Sequence, residues 1–367
     1  MTGRFLRQHP LTIAAAIAMA SVLGSVAWLW LRDEEKPPAR PVRASILLET
    51  LQPVAEAFPP PDNAPLAWPR DHGPHFDQFT EYWLVAGRVT DGEQREYGLQ
   101  LLLSRAALQR GPVERKSAWA PRAVYAAQMG VTSASGAQHA SQRLSRDALG
   151  LSGAGARPPR VWLNDWHITF APAGTATLLA GDDAAELDLE LRLPPAVPVA
   201  VEGPGYRGYW QPGIAATGEI TISGTTHAVS GNVFLDHLWG RSLPFGRGQL
   251  RLTRLWLERD DGDALRCRQL RRRAGTGTPL GQCLVRRADG SVTVLERNAF
   301  DLTPAPDADD GGGYPLSWRL RLGDDDPPLT LRPLAGASGL PPWPPWRGTM
   351  QARGGNEVWG VLEMSNF

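Results

Sequence analysis

The run Glu186-Leu187-Asp188-Leu189-Glu190-Leu191-Arg192-Leu193 places an apolar residue at every second position between charged ones. A period of two fits a half-buried antiparallel strand, because successive side chains point to opposite faces, and it does not fit a helix. The pattern returns at Glu219-Ile220-Thr221-Ile222, breaks at Ser223-Gly224-Thr225-Thr226 and resumes at His227-Ala228-Val229. Beyond residue 63 little 3.6-residue periodicity is sustained, and 39 Gly and 33 Pro supply turns. The body is therefore expected to be all-β, as sandwiches or barrels. Two units of ordinary domain size fit the 367 residues, residues 63–243 and 244–367.

The first 31 residues read differently. Leu11 to Trp30 is an uncharged apolar run with Arg4 and Arg7 before it and the mixed charges Arg32 to Lys36 after it. A run of about 20 apolar residues spans a hydrocarbon core as a helix. The basic residues place the N-terminus in the cytoplasm and the body on the periplasmic side of the inner membrane. A cleaved signal peptide, with Ser25-Val26-Ala27 as its site, is the alternative, and it yields a secreted body; the continuing run Trp28 to Leu31 favours an uncleaved anchor. Residues 32–62 form a spacer rich in Pro and charge, interrupted by a short apolar piece from Ser45 to Leu51.

With 38 basic and 38 acidic residues the chain lacks the basic footprint of a nucleic-acid binder. Its two cysteines, Cys267 and Cys283, flank the turn Ala274 to Thr278 symmetrically. In a simple hairpin they lie opposite each other, where an oxidising compartment permits a disulfide and a reducing one leaves two buried thiols. Gly203 to Gly208 matches G-x-G-x-x-G, but Pro204 and the lack of a following helix remove its phosphate-cradling geometry. There is no P-loop, H-E-x-x-H or G-x-S-x-G.

Three polar-aromatic clusters remain. They are Trp68-Pro69-Arg70-Asp71-His72-Gly73-Pro74-His75 with Glu81-Tyr82-Trp83, then Trp162-Leu163-Asn164-Asp165-Trp166-His167, then Phe234-Leu235-Asp236-His237-Leu238-Trp239-Gly240. A carboxylate desolvated by aromatics gains a raised pKa suited to proton donation. On a regular strand, however, Asp236 and His237 point to opposite faces. Asp71, His72, His75 and Asp77 are too loosely spaced around Pro74 to read as a metal set, Asp165 reads as a turn-capping residue, and neither a metal nor a cofactor is expected.

Together the clusters resemble the AttH/carotenoid 1,2-hydratase family of lipocalin-like predicted secreted hydrolases. The matching landmarks are W-P-R-D-H-G-x-H at 68–75, E-Y-W at 81–83 with Gly87, Ser145-Arg146 before Ala148-Leu149-Gly150, W-L-N-D-W at 162–166, L-D-H-x-W-G at 235–240, and Trp346-Arg347-Gly348 leading to Gly360-Val361-Leu362-Glu363-Met364. The resemblance implies two consecutive lipocalin-like antiparallel β-barrels joined at an apolar cleft. It also implies a lipid or isoprenoid ligand and, in the hydratase branch, addition of water across a carbon–carbon double bond. Carried over position by position, it makes Asp236 the proton donor, with His237 and Glu81 orienting it or the water. Trp83, Tyr209, Trp210, Trp239 and His75 form the substrate-binding wall.

The sequence departs from the family pattern at Leu84, Phe234, Leu238 and Leu252-Thr253-Arg254, where hydratases carry polar or aromatic groups. Two functions are expected from this mixture. One is a membrane-anchored hydratase or hydrolase acting on a long apolar substrate. The other is a non-catalytic lipid-binding accessory that works with an export-type ABC permease.

Overall fold

The computed structural model describes residues 52–111, 121–241, 250–296, 299–306, 314–323, 328–335, 346–352 and 357–365. The apolar run expected to span a membrane and the Ser45 to Leu51 piece lie outside the described residues. Among the described residues no helix is long and apolar enough to cross a membrane. Helix is nearly absent there: one short α-helix, Gln52–Glu56, and a 3-10 turn, Arg70–His72, stand against 21 strands.

The strands form two antiparallel sheets, each curled into a nearly closed barrel. The first has the order β4-β3-β2-β1-β12-β11-β9-β8-β7-β6-β5, with β10 paired to β11; here β3 is Ala123–Ser133, β4 Gln138–Arg146, β5 Ser152–Ala156, β6 Pro159–Leu163, β7 Trp166–Ala171 and β8 Thr175–Gly181. Its central strands are β1 (Thr80–Asp91), β2 (Glu96–Ala107), β11 (Tyr206–Ile222) and β12 (Thr225–Gly240), with β9 (Ala185–Arg192) and β10 (Val199–Gly203) beside β11. The second has the order β16-β15-β14-β13-β21-β20-β19-β18-β17 and is built on β13 (Leu250–Arg259), β14 (Ala264–Arg272) and β21 (Val358–Ser365), flanked by β15 (Leu280–Arg286) and β16 (Val292–Glu296) on one side and by β20 (Trp346–Ala352), β19 (Leu329–Pro333), β18 (Trp318–Leu322) and β17 (Phe300–Pro304) on the other. Strand β9 alternates buried and exposed along its whole length, as the sequence pattern requires. Its buried members, Ala185, Leu187, Leu189 and Leu191, join the first barrel's core.

Side chains bridge the gap that the first sheet's backbone ladder leaves. Arg143 on β4 (Gln138–Arg146) ion-pairs with Asp165 and donates from Nη2 to the Gly181 carbonyl at 2.8 Å, while His139 meets Asp182 at 2.9 Å. Asp165 thus ties the turn between β6 and β7 to β4. That turn is the two-residue hairpin Asn164-Asp165 between β6 (Pro159–Leu163) and β7 (Trp166–Ala171), with Asn164 at φ +56°. Asparagine tolerates this left-handed conformation. The Gly203 to Gly208 run is likewise a hairpin, with Gly205 at φ +79° in the turn between β10 and β11.

Alternation is lost where both faces of a strand are covered. Every residue of β1 from Thr80 to Gly87 is buried. Its inward residues Trp83, Val85 and Val89 fill the first barrel, while Tyr82, Leu84 and Ala86 face the second. Against them pack Trp256, Ala264, Leu284, Trp359 and Val361 from the outer wall of the second barrel. The resemblance implied an apolar cleft at this join; the structure fills it with packed side chains and buried ion pairs. Residues 52–58, within the expected spacer, also pack: Ala55 and Phe58 are buried with Phe79 and Ala107.

Cys267 on β14 and Cys283 on β15 (Leu280–Arg286) are cross-strand partners joined by a disulfide inside the second barrel. The bridge closes a loop of 16 residues. Breaking it should cost about 3 kcal/mol of stability by the loop-entropy relation. Denaturant titration of the full chain with and without reductant measures this, and a midpoint that does not move would show that the bridge adds nothing.

Candidate functional site

Strand parity sorts the residues singled out in the sequence into two places. Across β2, β1, β12 and β11 one inward row reads Arg105, Glu81, Trp239, Arg207, and the next reads Leu103, Trp83, His237, Tyr209. On the opposite face lie Tyr82, Leu84, Trp210, Phe234, Asp236 and Leu238. Glu81, His237, Trp83, Tyr209 and Trp239 therefore meet inside the mouth of the first barrel. Asp236 and Trp210 do not share that space. No bulge separates Asp236 from His237, and the register shift in β11 between Gln211 and Ile214 comes after Trp210, so ordinary alternation sends neighbours to opposite faces.

The mouth is covered by residues 66–78. Leu66 and Trp68 pack on the barrel core, and the Trp83 indole donates to the His72 carbonyl at 3.1 Å. Asp71 holds the cover's own turn by accepting from the Ala67 amide at 2.7 Å and from Arg70 at 2.6 and 2.9 Å. Glu81 fastens the cover to the wall. The His75 amide donates to both of its oxygens, at 3.1 and 3.0 Å, and His75 Nδ1 lies 2.8 Å from Oε1. On the barrel side His237 Nε2 reaches the same Oε1 at 2.9 Å, and Arg105 donates to Oε2 at 3.2 Å and to the His75 carbonyl at 2.7 Å.

Burial alone would raise the pKa of Glu81, but the hydrogen bonds from His237 and His75 and the charge of Arg105 hold it well below the usual carboxylate range. As an ionised acceptor it requires N–H donors from both imidazoles. The two rings nonetheless differ. Burial acts to lower the pKa of His75, yet Asp71 and Glu81 raise it to about 9. His237 is fully enclosed, and burial lowers its pKa despite Glu81. The surroundings thus favour the imidazolium at His75 and the neutral ring at His237. His72 is lowered to about 3, chiefly by burial; it stacks on Phe170 and lies 2.6 Å from the Tyr209 hydroxyl.

His75 lies flat on Trp239 with centroids 3.6 Å apart. Its Nε2 is 3.5 Å from Asp71 Oδ1, beyond a good hydrogen bond. Both residues, with Trp239, Arg70, Arg207 and Leu66, line a cavity of about 120 Å³ that opens to the surface. Asp71, His72, His75 and Asp77 form no metal set. The ligand atoms that do come within 4.8 Å of one another are those of His75, Glu81 and His237. A divalent cation there would replace the hydrogen bonds on Glu81 and face the Arg105 guanidinium.

On the other face Asp236 is fully enclosed between the barrels. It accepts from Arg266 Nε at 2.8 Å and from the Trp256 indole at 2.7 Å on one oxygen, and Arg266 Nη2 reaches the other at 3.3 Å. It is there an ion-pair partner, away from the cavity in the first barrel's mouth. Beside it Arg254 and Arg347 share the Glu363 carboxylate, and Arg254 donates to the Tyr82 hydroxyl at 2.6 Å. Sequence reasoning missed Arg105, Arg254, Arg266 and Trp256. The signal available was an arginine inside each of the mainly apolar runs LLLSRAAL, RLTRLWL and ALRCRQL, the last two of which carry a second one.

Fold and site define a lipocalin-like protein of two barrels with ionisable groups in the mouth of the first. The AttH-like family model matches residues 59–367, and the chain belongs to that family. No match is found among curated proteins. The structure is similar to that of an AttH protein from Nitrosomonas europaea, at 21% identity and TM-score 0.71, covering 84% of this chain and 98% of the other. It is also similar to kievitone hydratase from Nectria haematococca, at 13% identity and TM-score 0.57, covering 84% of this chain and 95% of that one.

Glu81→Gln leaves Arg105 and His75 without their buried counter-charge and should cost about 3–5 kcal/mol, read by chemical denaturation at pH 7. The raised pKa of His75 adds a pH dependence of known sign. Its contribution is complete below its ordinary value of 6.5 and is lost as pH rises toward about 9. His75→Gln should flatten the decline in stability between those pH values, and an unchanged profile would remove His75 from the clamp.

Proposed function

We propose that the chain adds water to, or removes it from, a carbon–carbon double bond at the mouth of the first barrel. The observation that carries this reading is that two imidazoles share one oxygen of a buried carboxylate, one of them beside a cavity that opens to the surface, while their surroundings push the pKa of His75 up and that of His237 down. Titratable groups driven apart by their surroundings are what acid–base chemistry at one site needs. His75 beside the cavity gives its proton to the substrate and takes one back from the adding water, Glu81 sets its orientation and charge, and His237 holds Glu81 from the barrel interior. The fold shared with kievitone hydratase supports the reaction class.

The strength of the donor narrows the substrate. An imidazolium with a pKa of about 9 suits a developing enolate or alkoxide and is far too weak for an isolated alkene. The double bond is therefore one polarised by a neighbouring carbonyl. A cavity of about 120 Å³ admits only the reacting end of a molecule, since pockets that enclose drug-sized ligands measure roughly 300–1,000 Å³. The barrel behind it is filled by Trp83, Tyr125, Trp166 and Phe170, so an apolar tail stays outside. The bridge between Cys267 and Cys283 supports an exported location, since such bonds persist in oxidising compartments. Together with the apolar run Leu11 to Trp30, it supports barrels tethered on the periplasmic side of the inner membrane.

The test is incubation of the full chain with a series of apolar enones and the corresponding β-hydroxy ketones, with gain or loss of water read by mass spectrometry. His75→Gln should lower turnover by about a hundredfold or more, the usual scale for a general acid, and the wild-type rate should fall as pH rises through about 9. Asp236→Asn, checked for folding by circular dichroism, should keep most of its turnover. Loss of turnover in Asp236→Asn with retention in His75→Gln would overturn the assignment.

A further inference from the structure

The outer face of the second barrel carries two adjacent cross-strand rows. One reads Arg347, Glu363, Arg254, Arg268, Gln282, Glu296, and the other contains Leu252, Leu270 and Leu280. The charged row is unbalanced. Arg254 and Arg347 already occupy both oxygens of Glu363, and Arg266 in the neighbouring row takes Asp236. Arg268 stands directly opposite Arg254, a like-charge pair that destabilises a sheet unless an anion intervenes. Among the described residues Arg268 has no carboxylate partner; it donates to the Tyr206 hydroxyl and lies over the Tyr206 ring at 5.6 Å. Glu296, the remaining acid of the row, is exposed and two strands away. Burial and the charges of Arg266 and Arg254 push the pKa of Arg268 down, as expected of an unmatched cation.

Arg268 is only half-buried, and so is Gln282 beside it, which leaves the guanidinium reachable from the rim of the seam. The leucine row next to it changes from 1% exposed at Leu252 to 57% exposed at Leu280. Apolar surface therefore begins where the unmatched charge sits and runs outward.

We propose that an anionic amphiphile binds here, its carboxylate or phosphate head on Arg268 and Tyr206 and its alkyl chain along Leu270 and Leu280. A guanidinium offers such a head two parallel N–H donors, and the Tyr206 hydroxyl adds a third. The site lies on the second barrel and is independent of the acid–base cluster in the first.

The experiment is isothermal titration and thermal unfolding of the full chain with decanoate, decanol and inorganic phosphate. Decanoate should bind and raise the unfolding midpoint, decanol should bind at least tenfold more weakly, and phosphate should bind more weakly than decanoate. Arg268→Gln should fold with an unchanged or higher midpoint in anion-free buffer and lose at least tenfold in affinity for decanoate. Leu280→Ser should weaken decanoate and leave phosphate unaffected, and His75→Gln should bind decanoate as the wild type does. The proposal is overturned by any of four results: no decanoate binding, decanol bound as well as decanoate, full affinity in Arg268→Gln, or loss of binding in His75→Gln, which would put the ligand in the first barrel.

Discussion

The carboxylate of Glu81 is the group on which the first barrel's mouth depends. It is fully buried, and an ion in that position persists only when its oxygens are saturated with donors. The donors come from three separate stretches of chain: His75 in the cover, Arg105 on β2 and His237 on β12. One charge thereby fixes where the cover sits and how the two imidazoles are turned. The small cavity beside His75 is a consequence of that fastening, since its wall is made by the cover and by Trp239 together.

Strands β1 and β12 serve two solvents at once, the interior of their own barrel and the wall of the second. Each can therefore carry two unrelated sets of functional groups, one on each parity. The inward set is the imidazole and carboxylate cluster. The outward set is a lattice of buried ion pairs: Asp236 with Arg266 joins the two barrels, while Glu363 with two arginines lies within the second and reaches the first through the Arg254 bond to the Tyr82 hydroxyl. Buried ion pairs of this kind add little to stability over an apolar seam, but removing one partner is costly.

Much of this was legible in the sequence, and the rest was hidden for identifiable reasons. The alternation at Glu186 to Leu193 gave β9 directly because one face of that strand meets water. Around Glu81 and His237 the alternation vanished, since both faces are covered, and with it went the signal that separates inward from outward residues. The parity rule still stated that Asp236 and His237 part company, and the structure obeys it. The family pattern instead joined them in one site, because a motif records neighbours in sequence and not the faces they occupy. His75 was read as a wall residue; its central position depends on a contact with Glu81 across a turn that no periodicity describes. Arg105 and Arg266 were out of reach for a related reason: an arginine in an apolar strand announces a partner but does not say on which strand the partner lies.

The central claim is that one carboxylate holds two imidazoles in opposite protonation states. Nitrogen-15 NMR of the histidine rings in the full chain at pH 7.5 tests it most directly. The account predicts one ring, assigned to His75, with both nitrogens protonated, and another, assigned to His237, in the neutral form with its proton on Nε2 toward Glu81. Finding the two rings in the same charge state, or His237 protonated on Nδ1 alone, would contradict it.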